Sequence, residues 1–132
     1  MNHNIVMFVC MVLAGALSTM NVWVEKIEDI RYSLNDLYMI LLMTGWMFLF
    51  MGLYYKETLT SLLGGFLAAG SFLAIRTQYG VSESDYIRGM IPHHSMAVHM
   101  SNELLKKKHT LTKFLQKIVT TQRQEINFMK KT

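Results

Sequence analysis

Two adjacent histidines, His93 and His94, follow Met90 at a helical distance, and Gln122, Glu125 and Met129 recur at helical spacing some thirty positions later. Imidazoles, thioethers and one carboxylate are metal donors. Thioether with imidazole suits copper in either oxidation state, and thioether favours Cu(I). Imidazole with carboxylate also accepts zinc or iron. To act together these groups need two helices side by side. Ser82 and Asp85 form an S-x-x-D cap for a first helix from about Glu83 through Lys106. Thr110 is placed to cap a second, from about Leu111 to Lys131, with Lys130 and Lys131 favourably set at its C-terminal end. So short a connection makes an antiparallel hairpin.

At about 100° per residue, Tyr86, Met90, His93, Ala97, Met100 and Leu104 share one face of the first helix, with His94 on its shoulder. Leu111, Phe114, Leu115, Ile118, Gln122, Glu125, Ile126 and Met129 make the facing stripe. If Lys106 and Leu111 flank the turn, His93 comes opposite Gln122 and Glu125, and Met90 opposite Phe128 and Met129. The pattern therefore gathers Met90, His93, His94, Gln122, Glu125 and Met129 at one level. A plainer reading has Glu125 pairing with a protonated histidine and Gln122 satisfying the other, as a polar cluster that sets helix register. Pro92 frees the carbonyl of Arg88 and predicts a kink beside the histidines, unless the helix begins there. His99 is expected to face solvent.

The runs M-I-P-H-H-S-M-A-V-H-M at Met90 to Met100 and Q-R-Q-E-I-N-F-M at Gln122 to Met129 resemble a CopM-like family of uncharacterised domains, over roughly residues 83 to 132. The resemblance implies a ferritin-like helical domain, often of two hairpins in a four-helix bundle, that binds copper for sequestration or tolerance. Met90, His93, His94, Ala97, Met100, Gln122, Glu125 and Met129 match by position. The implied metal ligands are Met90, His93, His94, Met100, Glu125 and Met129, with Gln122 supporting an imidazole. This chain has one hairpin rather than two, so a homodimer is expected to complete the bundle. The alternative is that the membrane segments cover the open face.

The preceding residues must anchor this hairpin. The chain has 132 residues, is 52% hydrophobic and 17% charged, and carries a net charge of +4. Its apolar residues crowd the first 75 positions, which excludes a large soluble enzyme. Three runs, about 5–24, 37–55 and 59–75, lack any charge and are long enough to cross a bilayer as helices. The expected fold is all-α: a membrane domain over 1–80 with three transmembrane helices, then a hairpin over 81–132 resembling half of a ferritin-like four-helix bundle. Ser61, Gly65 and Ala69, with Gly64 and Ala68 one step over, mark the packing face of the third span. Met39, Met43, Met47 and Met51 form a stripe along the second, read first as adaptable apolar filler and second as a Cu(I) path.

Localisation in the cytoplasmic (inner) membrane is expected. The basic residues near the spans favour a cytoplasmic hairpin, whereas the resemblance favours the opposite side. Cys10 stands alone, so no intramolecular disulfide is possible. Lys106 to Lys108 lack interleaved aromatics, and no nucleic-acid partner is expected. The leading functional expectation is a membrane-anchored copper-binding protein without turnover, with zinc or iron as lesser candidates. One alternative is a structural membrane module that dimerises through its hairpin. The other is a metal-dependent oxidoreductase, which has only Glu125 as an inward carboxylate. H-E-x-x-H is absent, so zinc hydrolysis has no signature.

Overall fold

The computed structural model describes residues 2–132, which form five α-helices and no strand among them. They are α1 (His3–Ala16), α2 (Leu34–Tyr54), α3 (Thr58–Thr77), α4 (Glu83–Leu105) and α5 (Thr112–Lys130), with single 3-10 turns at Met20–Trp23 and Ile27–Asp29. Residues 2–19 and 34–81 make one compact unit, and 20–33 with 82–132 make a second. The link between the first two helices thus belongs with the hairpin, a departure from the contiguous division at residue 80.

Three segments, His3–Trp23, Leu34–Tyr54 and Thr58–Thr77, are long and apolar enough to cross a membrane. The first is not a continuous helix. α1 stops at Ala16, where the N–H of Leu17 donates to the Leu13 carbonyl and that of Ser18 to the Gly15 carbonyl, both at 3.1 Å. Gly15 and the following Ser18 and Thr19 are weaker helix formers than the residues before them. Gly15 is also the crossing point of α1 and α2: a Cβ there would meet Ile40 and the Met43 methyl at 3.0 Å.

α2 and α3 form a tight antiparallel pair. Lys56 turns the chain at φ 58°, and Thr60 Oγ1 donates to Glu57 at 2.9 Å. A Cβ on Gly45, Gly52 or Gly64 would collide with backbone of the facing helix. The buried face of α3 is Thr60, Gly64, Ala68 and Ser71. The Gly65 face does not pack as expected, because Gly65 has nothing within 4 Å. Large apolar side chains such as Phe50, Leu53, Phe66 and Leu73 point outward, while Thr44 is fully buried and donates to the Ile40 carbonyl at 2.8 Å. That distribution suits a bilayer as solvent. Met39, Met43 and Met47 are also exposed, as apolar filler against lipid would be.

In the second unit Ser82 caps α4 through a reciprocal box: Asp85 N–H donates to Ser82 Oγ at 3.1 Å and Ser82 N–H to Asp85 Oδ2 at 3.4 Å. α4 therefore begins at Glu83 and runs through Pro92. At the start of α5 the expected Thr110 cap does not form. Leu111 is the capping position, without a side-chain cap, and its N–H donates to His109 Nδ1 at 3.1 Å. The core between the helices is Ile91, Val98, Ile126 and Met129, flanked by Ile87, Met90 and Val119.

Candidate functional site

The hairpin's buried face on α4 is Ile91, His94, Val98 and Ser101, about one residue step around the helix from the face expected. α4 carries two apolar stripes, and burial selected the one containing Ile91 and Val98. Tyr86 is 55% exposed and Met100 49%, and His93 is exposed too. His99, expected in solvent, is half-buried.

His94 is the centre of the polar arrangement. Its Nδ1 lies 2.8 Å from the carbonyl of Met90, and its Nε2 lies 2.6 Å from Glu125 Oε2. A carbonyl only accepts, so Nδ1 carries a proton. Nε2 then either donates to the Glu125 carboxylate as part of an imidazolium or, in the neutral ring, accepts from a protonated Glu125 carboxyl. A metal-ligating imidazole has the same outer half: one nitrogen donates to a backbone carbonyl and the other binds. The His93 ring lies edge-on to His94, with centroids 5.9 Å apart.

The remaining residues divide. Met90 and Met129 pack in one cluster, as the antiparallel register predicted, Met129 within the core and Met90 at its edge. Met100 lies six positions beyond His94, about 9 Å along the helix, and is not brought to the pair. Gln122 is half-buried and bonds neither imidazole; the Met90 carbonyl takes that orienting role. Among the described residues no three of His, Cys, Asp and Glu come together, so one chain's nitrogen and oxygen donors amount to a pair rather than a closed shell. His94 and Glu125 supply an imidazole and a carboxylate, donor types that divalent transition metals accept.

A second constellation was not anticipated. Asp29 in the link is 2% exposed, accepts from Ser95 Oγ at 2.6 Å and pairs with Lys130. Ser95 Oγ in turn accepts the N–H of Glu25 at 2.8 Å. Glu25 pairs with Arg123, and Asn102 donates to it at 3.4 Å. Arg123 is held above its ordinary value by its hydrogen bond to Glu25. These bonds fasten the link across α4 and α5. The only signal in the sequence was acidic residues in a short link and serine within a helix, which no spacing rule connects.

Residues 69–132 match a family described as Domain of unknown function (DUF305), a match that begins inside α3 rather than at α4. An uncharacterized protein of Acanthamoeba polyphaga mimivirus is 39% identical over 138 residues, covering 98% of this chain and 91% of the viral one. The chain belongs to the family of that viral protein. The similarity covers the residues of all five helices of this chain. No solved structure matches the chain.

Proposed function

We propose that this protein is a membrane-anchored metal-binding protein, with copper as the metal that its donors suit best, acting in sequestration, tolerance or trafficking rather than turnover. The observation that carries the reading is His94, whose Nδ1 is engaged by the Met90 carbonyl while Nε2 faces Glu125. When bound, copper would take His94 Nε2 in place of its proton, with Glu125, His93 and the Met90 thioether beside it. Met129 would approach from the core, and Met100 would join only from another copy. Imidazole with thioether is a copper-selective combination, and the CopM-like resemblance of residues 83–132 points the same way.

The DUF305 match spans the hairpin and names no activity. A ferritin-like arrangement is part of the proposal: two hairpins, one per chain, would complete four helices through the exposed stripe bearing Tyr86, His93 and Met100. A multi-pass location in the cytoplasmic membrane accompanies it.

A structural membrane module is the second reading, favoured by the lack of any three-member His, Cys, Asp and Glu group among the described residues. Anaerobic Cu(I) titration of the full-length protein against a competing chelator separates the two. Tight binding that His93→Ala with His94→Ala abolishes supports the metal reading. Equal binding by that variant, or failure of the native protein to compete, overturns it.

A further inference from the structure

A cleft that shares only Met129 with the metal reading opens at the start of α4. It encloses about 500 Å³ and is lined by Arg31, Arg88 and Lys130, with Ile87, Ile91 and Met129 on its apolar wall. That size lies within the range of small-ligand sites. Lys130 is already balanced by Asp29 and Glu28. The two arginines are not. Arg31 spends its guanidinium on the backbone carbonyls of Glu28 and Ile30, at 2.6 and 2.8 Å. Arg88 is exposed and pairs with no carboxylate among the described residues. Glu83 is the one acidic side chain on the cleft wall.

Arg31 is also held in place. The side-chain amide of Asn21 accepts its N–H at 3.0 Å and donates to its carbonyl at 2.9 Å. Both carbonyl bonds use Arg31 Nη1, which leaves its Nε and Nη2 donors, and the Arg88 guanidinium, to form planar donor forks that match phosphate oxygens. The apolar wall beside them suits a ligand with a hydrophobic part. Arg31 stands three positions before α2 and Glu83 six after the end of α3, so short tethers join the cleft's walls to apolar helices.

We infer that this cleft binds an anionic phosphate ester, with its oxygens on Arg31 and Arg88 and its apolar portion along Ile87, Ile91 and Met129. Its charged groups, Arg31 and Arg88, take no part in the metal reading, so either can fail without the other.

Isothermal titration of the full-length protein in non-ionic detergent tests the site with three probes: dihexanoyl phosphatidic acid, dihexanoyl phosphatidylcholine and inorganic phosphate. Phosphatidic acid should bind, with phosphatidylcholine at least tenfold weaker. Arg31→Gln with Arg88→Gln should weaken phosphatidic acid at least tenfold. Arg88→Gln alone, which removes no bond within the chain, should weaken it at least threefold and keeps the test valid if Arg31→Gln unsettles the link. Inorganic phosphate binding as tightly as the lipid would show that the apolar wall contributes nothing and would overturn the ester in favour of a free anion; weaker phosphate supports the ester. Absence of binding by both anions overturns the inference. So does an equal loss in Lys113→Gln with Lys117→Gln, which removes the same charge elsewhere on α5.

Discussion

At the scale of single residues, the hairpin unit depends on two carboxylates with different tasks. Glu125 is half-exposed and meets one imidazole, so Glu125→Gln should leave folding almost unchanged while reducing Cu(I) affinity, read in the same chelator competition. Asp29 is buried against Lys130 and Ser95. Asp29→Ala takes the acceptor from the buried Ser95 hydroxyl while Lys130 keeps Glu28, and should destabilise the unit by about 1–3 kcal/mol, measured by denaturant unfolding in detergent. Burial pulls Lys130 down, but hydrogen bonds and charge from Asp29, then from Glu28, outweigh it and leave the ammonium above its ordinary value of 10.5. A raised lysine stabilises fully below that ordinary value and loses its contribution as pH climbs through the raised one. The unfolding midpoint of the native protein should therefore approach that of Lys130→Gln above pH 10.5 and exceed it by a constant amount at neutral pH. Trp23 fluorescence in a Trp46→Phe background reports on the hairpin unit for this comparison.

Among the elements, α2 and α3 provide the sharpest contrast because two adjacent glycines differ in surroundings. Gly64 faces the backbone of Leu49 and Gly45, whereas Gly65 faces open space. Gly64→Ala should cost about 1–3 kcal/mol through overpacking. Gly65→Ala should be neutral or gain up to about 1 kcal/mol from helix propensity. Thermal unfolding in detergent ranks the pair, and the reverse order would contradict this helix contact. Small residues at four-residue spacing were visible on both faces of α3 in the sequence. Which face packs depended on complementary glycines of α2, so periodicity in one helix was insufficient.

For the whole molecule, the hairpin unit presents apolar side chains on both of its helices. Tyr86, Met100, Phe114 and Phe128 are exposed, Phe128 by 72%. Exposed large apolar side chains of this kind would suit the second copy that the metal proposal calls on. Phe128→Glu with Met100→Glu should convert a dimer to a monomer in sedimentation experiments in detergent and weaken Cu(I) binding with it. A monomeric native protein with undiminished copper affinity would remove the second copy from the proposal.

Much of the architecture follows from the sequence because it is local. Charge-free runs fix three apolar segments, the Ser82–Asp85 pattern fixes where α4 begins, and the short turn after α4 makes the helices antiparallel, bringing residues 93 and 94 to the level of 122 and 125. Tertiary structure decided what depends on competition between nearly equal alternatives. α4 has two apolar stripes one step apart, and only packing against Leu115, Ile126 and Met129 selected the Ile91 stripe, leaving His93 outside and His94 within. The link from Met20 to Ser33 is short and mixed in character, so its place against the hairpin was set by the buried Asp29, whose partners lie 66 and 101 positions away in the chain. Contacts over such distances leave no period in the sequence, because their free energy comes from side chains that meet only after the helices have packed.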